Sequence, residues 1–163
     1  MEINSHGTWE SIEEIINKYS DMVYRLALAR TKNITDAEDI FQEVFIRLIK
    51  NIDKLHGEDH IKPWLIKVTI NCSKTLLTSS WFKRTVPLED TLKFSTPEKT
   101  SIYYAVLDLP IKYRTVIYLF YYEDLSINEI SETLKTKEST VKSQLSRGRN
   151  LLKKILKGED FHV

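Results

Sequence analysis

Apolar residues recur at steps of three and four along almost all of this 163-residue chain, and the recurrence breaks decisively only once. A chain patterned this way buries one stripe of each of several helices, so an all-α fold is expected. Ile12, Ile15, Ile16, Tyr19, Val23 and Leu26 form the first stripe. Thr35-Asp36-Ala37-Glu38 predicts a capping box, with the Thr35 hydroxyl accepting from the backbone and Glu38 reaching back. The helix it opens buries Ala37, Ile40, Phe41, Val44, Phe45 and Leu48. A polar loop around His56-Gly57-Glu58-Asp59-His60 then leads to Pro63, placed to start a third helix carrying Trp64, Leu65, Val68 and Leu76. These three helices are expected to form one small domain over residues 1–85, its last helix ending near residue 84.

The break falls between Val86 and Lys99, where Pro87, Glu89, Asp90, Ser95, Thr96 and Pro97 leave no apolar periodicity. Residues 86–99 are therefore expected to be a flexible linker. Thr96-Pro97-Glu98 predicts an N-cap followed by proline at the first helical position, opening a helix through Ile102, Val106 and Leu109. Pro110 ends it and begins another, running to Tyr122, in which Tyr113, Tyr118, Tyr121 and Tyr122 are expected to be core aromatics.

Ser126-Ile127-Asn128-Glu129 is a second capping box, opening a short helix through Ile130 and Leu134. A turn at Lys135 to Lys137 and a longer helix follow, which is the spacing of a helix-turn-helix. Residues 100–163 thus make the second domain. On the longer helix Val141, Leu145, Gly148, Leu152 and Ile155 share one face. Thr140, Ser143, Arg147 and Asn150 lie along another, flanked by Lys142, Ser146, Arg149 and Lys153. Such a helix fits the DNA major groove, where cations reach guanine edges and phosphates and hydroxyls adapt. A plain basic amphipathic helix is the competing reading. Gly148 costs about 1 kcal/mol in a helix interior, which implies close packing against a neighbour.

The formal net charge of +1 hides a segregation along the chain. Lys plus Arg number 7 against 12 acids over residues 1–60, 5 against none over 61–87, and 8 against 3 over 125–157. Two basic segments in an otherwise acidic chain suit two contacts with a polyanion such as DNA, and equally two solvated helix faces. The single cysteine, Cys72, excludes an internal disulfide and a multi-thiolate zinc site. The start Met1-Glu2-Ile3-Asn4-Ser5-His6 is no signal peptide, and the longest apolar run, Val116 to Tyr122, is too short to cross a bilayer. A cytoplasmic protein is expected. His56 and His60 stand four apart but lack the HExxH order and a third ligand, and no glycine-rich phosphate loop exists. The expectation is no catalytic residue, no metal and no cofactor.

Several motifs together carry a family likeness. Asp36-Ala37-Glu38-Asp39-Ile40-Phe41-Gln42-Glu43-Val44-Phe45, Trp64-Leu65 with Asn71, Leu109-Pro110 with Arg114, Leu125-Ser126, Glu129-Ile130, and Thr140-Val141-Lys142-Ser143 with Arg147-Gly148-Arg149 follow one another in order. Over roughly residues 9–157 the chain resembles the extracytoplasmic-function (ECF) sigma factors of the sigma-70 family, which bind core RNA polymerase and direct promoter recognition and transcription initiation. The resemblance implies an N-terminal sigma-2-like domain, a C-terminal sigma-4-like domain, and an alternative sigma factor acting in a stress or envelope response.

It also implies roles for particular residues. Asp39, Gln42, Glu43 and Ile46 would grip core polymerase. Asn71, Lys74, Lys83 and Arg84 would contact the minus-10 element during melting, beside a base-capturing loop from Lys54 to Ile61. Ser139, Thr140, Lys142, Ser143, Gln144, Arg147 and Arg149 would contact the minus-35 element. A membrane-anchored anti-sigma factor is the further expected partner. Five positions depart from the family: its turn commonly carries glycine, an aliphatic residue and a serine cap where this chain has Lys135, Thr136 and Lys137. Gln144 replaces a common arginine and Thr75 a common Asp or Asn, so base preferences do not transfer. A two-domain helix-turn-helix regulator that binds DNA without polymerase is the alternative from another class.

Overall fold

A computed structural model describes residues 9–78 and 97–158, and all its regular structure is helical among those residues. The chain divides into two compact units, Met1–Pro87 and Leu88–Val163. The expected linker, 86–99, lies outside the described residues except for its last three positions.

In the first unit, helix α1 (Trp9–Thr31) packs on both α2 (Ile34–Asn51) and α3 (Glu58–Thr78). Its C-terminal half is enclosed all round: Leu26, Ala27, Leu28 and Ala29 are completely buried in succession. Two alanines there let the neighbouring helices close in, while Leu26 and Leu28 fill opposite sides. Facing them are Ala37, Ile40, Val44, Phe45 and Leu48 from α2 and Ile61, Leu65, Ile66 and Ile70 from α3. Burying these leucine-sized side chains stabilises by about 1.5 to 3 kcal/mol apiece before the entropy of ordering is set against it. Buried polar groups are satisfied locally: Thr69 Oγ1 donates to the Leu65 carbonyl at 2.6 Å, and Arg30 Nε to Ser73 Oγ at 2.9 Å. Cys72 is buried among them, and burial pushes its thiol pKa up, as expected of a packing residue.

Two helix starts differ from expectation. The cap of α2 is Asn33, whose Oδ1 accepts from the Asp36 backbone N–H at 3.0 Å, and Thr35 is simply the second helical residue. Lys32, at φ 52°, stops α1 abruptly, and the chain re-enters a helix at once with Asn33 extended. Asparagine caps as well as threonine does, so three candidate capping side chains within five residues left the choice to the backbone. Helix α3 begins at Glu58, five residues before Pro63, which sits inside it. Pro63 and Asp59, whose carbonyl loses its partner, are both exposed, so water replaces the missing bond. The polar loop shrinks to Leu55, His56 and Gly57 after a 3-10 turn, Ile52–Lys54. Gly57 adopts φ 78°, and its carbonyl accepts from His60 and Ile61.

The second unit holds α4 (Pro97–Leu107), α5 (Ile111–Tyr121), α6 (Ile127–Leu134) and α7 (Glu138–Leu156). Arg114 is only 6% exposed, yet its guanidinium donates to the Leu109 carbonyl at 3.0 Å and reaches that of Leu107 at 3.4 Å. A buried cation thereby satisfies carbonyls at the end of α4, which explains Leu-Pro followed by Arg four residues on. Tyr118 is buried, donates to Glu123 at 2.9 Å and stacks with Tyr122. Of the four tyrosines expected in the core only Tyr118 is buried: Tyr113 and Tyr122 are half-buried, and Tyr121 is 50% exposed.

The inferred close packing at Gly148 is present. A Cβ there would stand 2.9 Å from Ile117 Cγ1, 3.2 Å from Ile117 Cδ1 and 3.3 Å from Tyr113 Cβ. Helix propensity favours Gly148→Ala by about 1 kcal/mol, whereas overpacking costs roughly 1 to 3 kcal/mol, and buried Ile117 has nowhere to retreat. The clash wins. We expect Gly148→Ala to destabilise the second unit by about 1 kcal/mol, seen in urea as a lower midpoint for that unit's transition with the first unit's unchanged.

Candidate nucleic-acid and partner interfaces

On α2 the buried stripe defines its opposite. Asp39, Gln42, Glu43 and Ile46 are all exposed and recur at three- and four-residue steps, so they form one continuous outward strip. Ile46 is 46% exposed and Ile49, one turn further, 43%. Sequence reasoning named Ile46 but passed over Ile49, although its spacing from Ile46 was the available signal. Glu43 Oε1 accepts from Arg47 Nε at 2.8 Å, an exposed i,i+4 pair that presents the carboxylate already partnered. Beside the strip, Ser20, Asp21, Tyr24, Glu38, Phe41 and Gln42 line an open groove between α1 and α2. Burial first, then the Glu38 carboxylate, raise the Tyr24 pKa.

The basic segment of α3 presents Asn71 exposed and Lys74 half-buried on one side of the helix, with exposed Lys67, Thr75 and Thr78 around them. Lys67 was not anticipated. Lys83 and Arg84 lie outside the described residues. At the start of α3 the ring of His60 meets that of His56, in the preceding loop, edge-to-face at 6.2 Å.

The helix-turn-helix is formed by α6 and α7. Ser126 Oγ accepts from the Glu129 N–H at 3.1 Å and Glu129 Oε2 from the Ser126 N–H at 2.8 Å, completing the expected capping box. Lys135 ends α6 in the left-handed region, φ 54° and ψ 47°, and Thr136 N–H donates back to the Ser131 carbonyl at 3.0 Å. The turn thus has the geometry glycine would serve, with lysine in its place. Lys137 occupies the cap of α7 and supplies no side-chain bond, while Asn128 Nδ2 donates to Glu138 Oε1 at 2.9 Å and ties the two helices together. Val141, Leu145 and Gly148 are buried. Ser139, Thr140, Lys142, Ser143, Arg147 and Arg149 are exposed, and Gln144 is half-buried at the margin. The structure therefore gathers all seven residues proposed for the upstream element onto α7, with Arg149 also resting against α5: its Nε donates to the Tyr121 hydroxyl, and its guanidinium lies 5.5 Å from the centre of the Phe120 ring.

Residues 15–82 match the family described as sigma-70 region 2, and residues 99–152 the one described as sigma-70, region 4. Those two regions in that order define a two-domain factor of the sigma-70 class. The ECF RNA polymerase sigma factor SigW of Bacillus subtilis is 31% identical, with 93% of this chain aligned to 91% of SigW. SigM of the same organism is 33% identical over 89% of this chain and 94% of its own length. The chain belongs to the ECF RNA polymerase sigma factors. Two solved structures share its fold at low identity: the sigma factor RpoE in complex with the anti-sigma factor NepR from Bartonella quintana, and CnrH in complex with the cytosolic domain of CnrY. The first has TM-score 0.69 at 17% identity and covers 91% of this chain and 98% of its own. The second has TM-score 0.64 at 16% identity and covers 94% and 92%. Among the described residues no helix is long and apolar enough to cross a membrane.

The turn offers a direct stability test. A left-handed lysine costs about 1 to 2 kcal/mol that glycine avoids, against about 0.5 to 1 kcal/mol for glycine's extra chain entropy. Lys135→Gly is therefore expected to stabilise the second unit by about 0.5 to 1 kcal/mol, and Lys137→Ser, by supplying the missing cap, by about 1 kcal/mol. Both are measured as increases in its thermal midpoint.

Proposed function

We propose that this chain is an alternative sigma factor of the cytoplasm that binds core RNA polymerase, directs it to promoter DNA and supports strand opening, with no catalytic chemistry of its own. One observation carries the reading: a single chain presents an acid-and-apolar strip on α2 and a cationic, hydroxyl-rich face on α7, in the region 2 then region 4 order of its family. In this reading Asp39, Gln42, Glu43 and Ile46 contact core polymerase, and Ile49 extends the same strip. Asn71 and Lys74 face the minus-10 strand together with Lys83 and Arg84, while Ser139, Thr140, Lys142, Ser143, Gln144, Arg147 and Arg149 engage the minus-35 duplex. Capture of an unstacked base offsets the few kcal/mol of unpairing, so opening draws on binding energy alone. Run-off transcription with purified core polymerase tests this: a transcript that requires the chain supports it, and tight duplex binding without polymerase, with no transcript, favours a helix-turn-helix regulator.

The polymerase strip makes a sharper prediction. Gln42→Ala with Glu43→Ala is expected to weaken core binding at least tenfold. The exposed Glu43–Arg47 pair is worth only about 0.3 to 0.5 kcal/mol, so the thermal midpoint moves little. Full affinity for core in the double variant sinks the assignment.

We also propose an anti-sigma partner, by analogy with the matching fold solved in complex with the anti-sigma factor NepR, and, as the family resemblance implies, one anchored in the membrane. If it grips both units, joining two weak contacts gives affinity that neither alone supplies. Residues 1–87 and 88–163 are then each expected to bind it at least a hundredfold more weakly than the intact chain in a titration. A fragment as tight as the whole would exclude bridging.

A further inference from the structure

Helix α5 crosses beneath α7 where Ile117 meets Gly148, the 2.9 Å approach that admits no Cβ. One helical turn to either side of Ile117, α5 carries Tyr113 and Tyr121. Immediately to either side of Gly148, α7 carries Arg147 and Arg149. Residues two apart on a helix point roughly 200° apart, so the two arginines leave α7 on opposite flanks. Arg149 meets a tyrosine on its flank. Arg149 Nε donates to the Tyr121 hydroxyl, with its guanidinium carbon 5.5 Å from the Phe120 ring centre and 5.6 Å from that of Tyr121. On the other flank Tyr113 Cβ abuts the Gly148 position at 3.3 Å. Partial desolvation there works upward on the Tyr113 pKa, yet the nearby cations Lys112 and Arg147 hold it below its ordinary value.

Between the flanks lies the strip Ser139, Ser143, Ser146 and Asn150, all exposed. A helix seated in a major groove about 12 Å wide turns such a strip to the base edges and its flanks to the two phosphate strands that form the groove walls. We propose that Tyr121 is a positioning residue that holds Arg149 on one flank of α7, so that its guanidinium grips the phosphates of one wall of the groove. This rests on the reading of α7 as the minus-35 helix. Pre-orientation matters because a long exposed arginine otherwise loses rotamer freedom on binding, and a guanidinium already docked on a ring or hydroxyl loses less.

The test uses the full chain assembled with core polymerase and measures affinity for a promoter fragment with the natural or a scrambled upstream element. Tyr→Phe keeps the ring and the packing and removes only the hydroxyl, and unchanged circular dichroism confirms the fold. Tyr121→Phe is expected to weaken binding about threefold, the size of one modest hydrogen bond, by the same factor on both fragments. Arg149→Ala should lower the slope of log affinity against log salt by about 1, as loss of one phosphate contact does. The deciding measurement is the set of double-mutant cycles. Tyr121→Phe should have no further effect in the Arg149→Ala chain and its full effect in the Arg147→Ala chain. A purely structural role for Tyr121 would give equal effects in both backgrounds and overturn the proposal. Losses confined to the natural upstream element would make Arg149 a base reader and overturn the wall assignment. If Arg149→Ala leaves promoter affinity unchanged while run-off transcription still requires the chain, the proposal fails and the sigma reading stands. No transcript from the unmodified chain removes both.

Discussion

The second unit is organised by the absence of one methyl group. Because Gly148 has no side chain, α7 lies directly on Ile117, and together with buried Val141 and Leu145 this contact sets which face of α7 is exposed. It sets the helices close enough for Phe120 and Tyr121 to reach Arg149, and it brings Tyr113 against the Gly148 backbone. It also turns the serines and threonine of the first turns outward. Glycine in a helix interior sacrifices about 1 kcal/mol of intrinsic stability, which the buried contact with α5 offsets.

The first unit solves a different problem, since α1 has to be covered on two sides by helices that must still present polar surfaces. Complete burial of Leu26 to Ala29 does the covering. It leaves α2 free to display Asp39, Gln42 and Glu43, with Ile46 and Ile49 beside them, and α3 free to display Lys67, Asn71 and Lys74. Those outward surfaces have opposite character, acidic with apolar patches on one helix and basic on the other. In the proposed reading, repulsion between phosphates and Asp39 or Glu43 would steer nucleic acid away from α2, and attraction by α3 would draw it in. One small three-helix core would thereby separate the side proposed to face polymerase from the side proposed to face the strand.

Much of this was legible in the sequence because it rested on local chemistry. The Ser126–Glu129 box, the proline starts of α4 and α5, the buried face of α7 and the reason for Gly148 all follow from spacing and stereochemistry within a few residues. Misreadings arose where two local rules competed. Asn33 and Thr35 were both good caps, and only the left-handed Lys32 decided between them. Pro63 signals a helix start, yet a proline in an exposed second turn is tolerated when water can satisfy the carbonyl it abandons. Tyr121 looked like its neighbours by composition, and its exposure depends on how α5 and α7 cross, a tertiary fact without a sequence period. Ile49 was overlooked because an exposed isoleucine looks like a core residue until the buried stripe is fixed by Val44, Phe45 and Leu48.

Charge arithmetic explains why the proposed DNA face needs a partner. Helix α7 carries five exposed cations, Lys142, Arg147, Arg149, Lys153 and Lys154. If every one neutralised a phosphate, the slope of log affinity against log salt would reach only about 4 to 5, and raising salt from 50 to 200 mM would cost roughly two to three orders of magnitude. Non-specific affinity of that kind falls to the 0.1 mM to 1 μM range at physiological salt, too weak for a single helix to occupy scattered sites by itself. A few base contacts of about 1 to 3 kcal/mol each narrow the gap without closing it. In the proposed reading, joining the helix to a second DNA contact on α3, and both to a large protein docked on α2, would turn each later contact into an intramolecular step at raised effective concentration. A weak recognition helix then becomes an advantage, because DNA is held firmly only when polymerase is present to use it.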